Sequence, residues 1–245
     1  MSGQSRTEPA RRPARRTQVG VIDHGAGNLR SVVEALRAVG ARPVVVDQGA
    51  DPRLLEMPAL VVPGVGASGP AMRRLHRHGL DIAIRDAAAR GAWYLGICLG
   101  LQLLFDESAE DDTELLGLVP GRVELIPEAP RLPHIGWNQV ELRRAHPLVR
   151  HLADGAPAYF VHSYAGRPED ADVIVAETVH GGRFPSVVSR GRLLGTQFHP
   201  ERSGEAGLRL LADFVELVAE DGDSTQGGLT QGASTGDGST APAAA

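Results

Sequence analysis

A single cysteine lies between two glycines in Tyr94-Leu95-Gly96-Ile97-Cys98-Leu99-Gly100-Leu101-Gln102, where an apolar, strand-like run passes into a helical pattern. Small residues two places either side permit a sharp strand-to-helix turn, which strains its central residue and presents that side chain at the carboxyl end of a sheet. The amides that open the following helix favour negative charge at the sulfur, and the amide of Leu99 points to where an oxyanion would form. The competing reading is a core cysteine, because free cysteines are among the most buried residues.

A nucleophilic sulfur needs a base, and the base needs an orienting acid. Gly195-Thr196-Gln197-Phe198-His199-Pro200-Glu201 offers both. In extended chain, residues i and i+2 share a face, so His199 and Glu201 are expected to project together at the end of a strand, with Pro200 pointing away. An oxyanion hole is the remaining requirement. Pro63-Gly64-Val65-Gly66-Ala67 follows a strand-like run, and its glycines let backbone N–H groups approach a carbonyl, with Val65 supplying the second amide.

Gly64, Gly66 and Gly69 also satisfy GxGxxG, but Pro63 and Pro70 bracket the loop and it follows the third strand rather than the first, which argues against a dinucleotide site. Gly25-Ala26-Gly27-Asn28 follows the first strand, lacks a third glycine and reads as a tight turn. His76 and His78 stand two apart on a helical pattern, so they do not share a face as metal ligands should, and they are expected to face solvent. His146 and His151 carry no metal-ligand pattern. The acidic stretch Asp106 to Glu114 reads by composition as a solvated loop.

The elements that must position these groups follow from periodicity. The first half alternates short β-branched runs (Gln18 to Asp23, Pro43 to Asp47, Ala59 to Val62, Trp93 to Ile97) with helical stretches (Asn28 to Val39, Pro70 to Arg90, Leu99 to Phe105), which is the pattern of a parallel sheet with crossover helices. Asn28 and Pro70 suit helix starts, and Gly40 and Gly91 suit helix ends. The second half reads as strands at Arg122 to Ile126, Trp137 to Leu142, Ala158 to Val161, Val173 to Thr178, Ser186 to Val188 and Leu193 to Phe198. One helix, Gly204 to Glu220, closes it, with Leu208, Leu211, Phe214, Val215 and Val218 on one face. The expected fold is α/β: a central, mostly parallel sheet flanked by helices, with additional antiparallel strands in the second half.

Composition narrows the possibilities. All 25 basic residues are arginine, and 30 acidic residues leave a net charge of −5, which argues against a nucleic-acid partner. One cysteine cannot form an internal disulfide, and no Cys/His set is spaced for zinc. The longest apolar run, Gly91 to Phe105, falls short of the roughly 20 residues that span a bilayer. No secretory signal is evident, so a cytoplasmic location is expected, without a membrane. Residues 1–17 carry Arg6, Arg11, Arg12, Arg15 and Arg16 with almost no large apolar side chain, and residues 221–245 are rich in Gly, Ser, Thr and Ala. Both segments are expected to be disordered tails around one domain at 18–220. An organelle transit peptide would also be Arg-rich, but it needs an apolar face that the alanines and prolines here do not supply.

GICLGLQ, FHPE and PGVG together resemble the class I glutamine amidotransferases. More narrowly, IDHGAGNLRSV (22–32), VPGVGA (62–67), GICLGLQLLFDESAE (96–110), PHIGWN (133–138), YFVHSY (159–164) and GTQFHPERSG (195–204) resemble the glutaminase subunits of imidazole glycerol phosphate synthase. The resemblance implies that Cys98 attacks the side-chain amide of L-glutamine and forms a glutamyl thioester. His199 would then protonate the leaving amine and later activate water, with Glu201 orienting it. By the same resemblance Gly66, Gln102, Glu110, His162, Ser163 and Tyr164 bind the substrate, so Glu110 leaves the solvated-loop reading.

The resemblance also implies a (βα)8-barrel cyclase partner in a heterodimer, which uses the ammonia in histidine biosynthesis, with Asn28, Trp137 and Arg202 facing it. No cofactor or metal is implied. Two positions depart from the family pattern: His24 stands where tyrosine is common, and Arg202 replaces a frequent lysine, keeping the charge but preferring bidentate pairing. Two alternatives stand beside this reading: the glutaminase of another synthase, of the anthranilate or GMP type, and a non-catalytic glutamine-binding partner.

Overall fold

The computed structural model describes residues 17–25 and 27–227, with side chains described as far as Gly222. The chain runs through β1 (Gln18–Ile22), α1 (Leu29–Ala38), β2 (Arg42–Val46), β3 (Ala59–Gly64), α2 (Ser68–Arg77), α3 (Leu80–Ala89), β4 (Trp93–Cys98) and α4 (Leu99–Gln102). It continues through β5 (Glu107–Ser108), β6 (Thr113–Glu114), β7 (Gly121–Leu125), β8 (His134–Leu142), β9 (Ala156–His162), β10 (Tyr164–Pro168), β11 (Ile174–His180), β12 (Gly182–Arg190), β13 (Leu193–Thr196) and α5 (Gly204–Gly227).

Nine strands form one sheet in the order β2-β1-β3-β4-β13-β12-β11-β8-β9. From β2 to β13 the pairings are parallel, and from β13 to β9 they are antiparallel. The two halves therefore meet at β13, a late strand that returns to lie beside β4. A second sheet, β10-β7-β5-β6, stands apart from the first.

Strand alternation divides the apolar residues between the two faces of the large sheet. Val19, Val21, Val61, Leu95 and Ile97 pack with Val32 and Leu36 of α1 and with Leu211 and Phe214 of α5. Ile22, Leu60, Val62 and Tyr94 pack with Leu75 of α2 and with Leu80 and Ile84 of α3. Each helix presents an apolar stripe to one of these faces, which is what a doubly covered sheet requires.

Several boundaries differ from the sequence expectation. The helix expected over Pro70 to Arg90 is two helices, broken at Gly79, whose φ of 64° is left-handed. Gly49 packs against that turn so closely that a Cβ there would lie 2.0 Å from the Gly79 carbonyl oxygen. The helix expected to reach Phe105 ends at Gln102, and tighter turns carry the chain to Phe105. Strand β10 has no counterpart in the expectation, because Tyr164-Ala165-Gly166-Arg167-Pro168 carries no β-branched residue. Helix α5 runs on to Gly227, so the boundary at residue 220 falls inside a helix. The other residues assigned to tails, 1–16 and 228–245, lie outside the described residues. Gly40 and Gly91 do end α1 and α3, each with φ of 87°.

Candidate active site

Sheet register brings the reacting groups together. At the carboxyl end of β4, Cys98 is paired with Gly64 of β3, and Ile97 is paired with Thr196 of β13. The loop expected to hold an oxyanion thus begins on one side of Cys98, and the segment carrying His199 begins on the other. This is the carboxyl-end crevice in which open α/β sheets bind ligands.

Cys98 has φ 54° and ψ −103°, a conformation that a side chain other than glycine adopts only under constraint. The constraint is steric. A Cβ at Gly96 would lie 2.3 Å from the Gly100 oxygen, and one at Gly100 would lie 1.8 Å from the Val62 oxygen. Only glycine lets the turn pack down on β3. The Tyr94 hydroxyl fastens it from below by donating to the Gly100 carbonyl at 2.7 Å. Cys98 is 3% exposed, so burial and nucleophile geometry coexist at this position.

His199 donates from Nδ1 to Glu201 Oε1 at 2.9 Å, and both side chains are buried. The pairing agrees with the sequence expectation, but its local geometry differs. Strand β13 stops at Thr196, and Pro200–Arg202 form a single 3-10 turn that carries the carboxylate back under the ring. His199 itself is held by its backbone: its N–H donates to the Tyr159 carbonyl at 2.9 Å, and its carbonyl accepts from the Ser203 hydroxyl at 2.7 Å. Its Nε2 has no hydrogen-bond partner of normal geometry among the described residues. Burial alone would lower the pKa of His199, but the Cys98 sulfur and Glu201 together raise it to about 10. The arrangement keeps an imidazolium beside the sulfur at neutral pH, ready to give its proton to a departing amine.

A cavity of about 470 Å³ opens over Cys98. Val65, Gly66, Leu99, Gln102, Glu110, His162, Ser163, Tyr164 and Arg202, all named from the sequence, line it together with Cys98. Gly66 has φ of 90°, which the loop turn requires. Gln102 commits its amide hydrogens to the Tyr164 carbonyl at 2.7 Å and to Gln197 Oε1 at 3.3 Å, which leaves its oxygen as the acceptor for a ligand. Glu110 is half-buried and accepts from the Ser68 N–H at 3.3 Å, while its neighbour Asp111 accepts from the Gly69 N–H at 2.7 Å. Two carboxylates of the acidic stretch therefore cap the first turn of α2. Burial raises the pKa of Glu110, partly offset by the Ser68 N–H.

Asn28 and Trp137 lie outside the cavity. Asn28 sits at the N-cap of α1, where its side chain accepts from the Ser31 hydroxyl at 2.7 Å instead of from a backbone amide. Trp137 is exposed on β8 and meets Tyr159 edge to face, and the Arg202 guanidinium lies 4.2 Å over the Tyr159 ring. Trp137, Tyr159 and Arg202 thus form one continuous rim that ends next to Glu201.

Two participants, Gln197 and His134, escaped the sequence reading, and a third, His24, enters there only as a departure from the family pattern. Gln197 donates from Nε2 toward Cys98 Sγ at 3.7 Å and bridges the sulfur to Gln102. It stands two residues before His199, so the i, i+2 rule that paired His199 with Glu201 could have found it. His24 is buried and donates from Nε2 to the Pro63 carbonyl at 2.9 Å, beneath the oxyanion loop. His134 contacts His162 across the strand pair β8 and β9. Of the other histidines, His76 is exposed as expected but pairs with the buried Asp81 at 2.7 Å. His146 is half-buried and caps a short turn through Leu148 N–H, and the exposed His151 pairs with the buried Asp213. Among the described residues there is no group of three metal-ligating side chains, and no helix is long and apolar enough to cross a membrane.

A strained elbow cysteine, a His-Glu pair beside it and a glycine loop across the crevice define a class of enzyme. The chain belongs to the class I glutamine amidotransferase family, whose model matches residues 20–217. Its curated relatives include the imidazole glycerol phosphate synthase subunit HisH of Symbiobacterium thermophilum, 49% identical over 82% of this chain and 94% of that one. The subunit of the same name from Dehalococcoides mccartyi is 41% identical over 83% of this chain and 98% of that one. Within the class, the chain groups with the HisH subunits. Among solved structures, the PurLQS complex of Thermotoga maritima contains a chain with a TM-score of 0.67 at 21% identity, covering 83% of this chain and 100% of that one, a likeness of fold.

Proposed function

We propose that this glutaminase subunit hydrolyses L-glutamine through a Cys98 thioester and passes the ammonia to a (βα)8-barrel cyclase partner that makes imidazole glycerol phosphate and an aminoimidazole carboxamide ribotide. The Cys98 sulfur adds to the amide carbon, and the oxygen takes up negative charge facing the amides of Val65 and Leu99. His199 gives its proton to the nitrogen, ammonia leaves, and the thioester remains. The neutral imidazole then takes a proton from water as the water attacks, which releases glutamate and returns the sulfur. Glu201 keeps Nε2 turned toward the reaction throughout. The oxygen of Gln102 and the carboxylate of Glu110 suit the substrate ammonium, and Gly66 with residues 162–164 forms the opposite wall.

Asn28 at the start of α1, and Trp137 and Arg202 on the rim described above, face the cyclase. The working unit starts at residue 18 and continues through α5, in the cytoplasm, and the two terminal segments are given no part in catalysis. The observation that carries the reading is the register that puts Cys98 between Gly64 and the strand leading to His199.

The test is glutamate release from glutamine by the chain alone and with a matched cyclase subunit carrying its nucleotide substrate. Strong stimulation by the loaded partner is expected. Activity indifferent to that partner would move the chain to another synthase. No activity under either condition would favour a glutamine-binding protein. Cys98→Ala should abolish hydrolysis while keeping the fold and partner binding, and an unfolded variant would return the cysteine to a core role.

A further inference from the structure

Between the substrate wall and strand β8, every polar hydrogen has one place it can be. A peptide carbonyl only accepts, so His162 Nδ1, 2.8 Å from the Tyr164 oxygen, carries a hydrogen. In the neutral ring Nε2 is then an acceptor, and it faces His134 Nδ1 at 3.3 Å, which must donate. His134 Nε2 in turn accepts from Asn138 Nδ2 at 3.2 Å. The amide orientation of Asn138 is set independently, because Nδ2 also donates to the Val179 carbonyl at 2.9 Å while Oδ1 accepts from the Gln139 N–H at 2.8 Å. One pattern satisfies all four groups, and it runs in one direction: Asn138 to His134 to His162 to the Tyr164 carbonyl.

We propose that His134 and Asn138 are positioning residues for the glutaminase reaction, holding His162 in its Nδ1–H tautomer so that the Tyr164 carbonyl, and with it the 162–164 wall of the cavity, stays in place. The Tyr164 oxygen receives two donors, His162 Nδ1 and Gln102 Nε2, so the chain meets a cavity-lining side chain at the very atom it fixes. Packing prevents either ring from turning over. His134 lies between Phe160, with centroids 5.0 Å apart, and His180 at 4.1 Å, and His162 meets Phe184 edge on at 4.9 Å. Both rings are buried, and burial lowers the pKa of His134 to about 4 and of His162 to about 3, so the pattern is that of neutral rings at physiological pH. The inference rests on the reading of residues 162–164 as part of the glutamine site.

The experiment has two arms. In the full chain labelled with 15N-histidine, the resonances of His134 and His162 should show hydrogen on Nδ1 in both rings. Hydrogen on Nε2 of either ring overturns the proposal. In the complex with a cyclase subunit, His134→Phe keeps a packed ring but removes both nitrogens. It should raise KM for glutamine about threefold to tenfold, the worth of one hydrogen bond, with kcat little changed. His134→Asn, whose amide can donate from the same side, should restore most of that loss, and Asn138→Ala should raise KM in the same direction. Unchanged KM in His134→Phe overturns the relay, as does a loss that His134→Asn fails to rescue. Gln102→Ala separates this from failure of the site reading: it raises KM if the wall is where glutamine sits and leaves KM unchanged if it is not.

Discussion

The nucleophile ends strand β4 and its base follows the neighbouring strand β13, and the two are positioned by opposite means. Cys98 is placed by exclusion: backbone packs so tightly around Gly96 and Gly100 that the turn has one shape, and the sulfur sits where that shape leaves it. His199 is placed by attachment, through its N–H to Tyr159, its carbonyl to Ser203 and its ring to Glu201. The difference follows the sheet. In the parallel half the strands around the elbow, β1, β3 and β4, are buried and sterics decide, whereas the antiparallel half ends in side-chain and turn hydrogen bonds. Steric placement fails all at once, while attachment by several hydrogen bonds fails by degrees.

Gly100→Ala should be the harshest test of that contrast. Its Cβ would fall 1.8 Å from the Val62 oxygen, and no flexible side chain is there to yield. Glutaminase activity should vanish, and stability in urea should drop by at least about 3 kcal/mol. A near-normal unfolding midpoint would mean that the elbow is not sterically locked.

Glu201→Gln should be milder. It weakens the hold on the imidazole but leaves both backbone attachments, so kcat should fall by about 10- to 100-fold, against about 1000-fold or more for His199→Ala. Equal losses in single-turnover assays would make Glu201 the proton carrier and erase the graded behaviour expected of the base.

The smallest effect concerns pH. His134 and His162 have their pKa values lowered by burial from 6.5 to about 4 and about 3. Below about pH 6.5 the unfolded chain takes up protons that the folded chain refuses, so stability is full above that pH and falls as the solution is acidified toward pH 4. Urea midpoints measured between about pH 7 and about pH 5 should decline, and His134→Phe should flatten the decline. An unchanged slope would show that these rings do not set the acid limit of the antiparallel half.

The same contrast explains what could be read from the chain alone. The elbow announces itself because its steric demand is local: Gly96 and Gly100 must be glycine within a few residues of Cys98. The His199 and Glu201 pair is equally local, and the expectation that they meet survives even though a 3-10 turn, not an extended strand, brings them together. Gly79 misleads for a related reason, since a glycine inside a helical pattern looks tolerable until Gly49 packs on it from 30 residues away. The relay from Asn138 to Tyr164 joins residues of three strands, and nothing near His134 distinguishes it from a core histidine. The hairpin of β5 and β6 looked like solvent-facing acid until α2 supplied the amides that Glu110 and Asp111 cap.

The chain contains one sulfhydryl in 245 residues, and that group is the reacting atom. An electrophilic label can therefore attach at no other cysteine, and no engineering is needed to make the signal specific. Because Cys98 is 3% exposed and is reached through the cavity above it, the labelling rate reports access to the sulfur through that cavity. The molecule carries its own stopwatch: a ligand or docked subunit that covers or uncovers the cavity will change the labelling time, even under conditions where no ammonia is made.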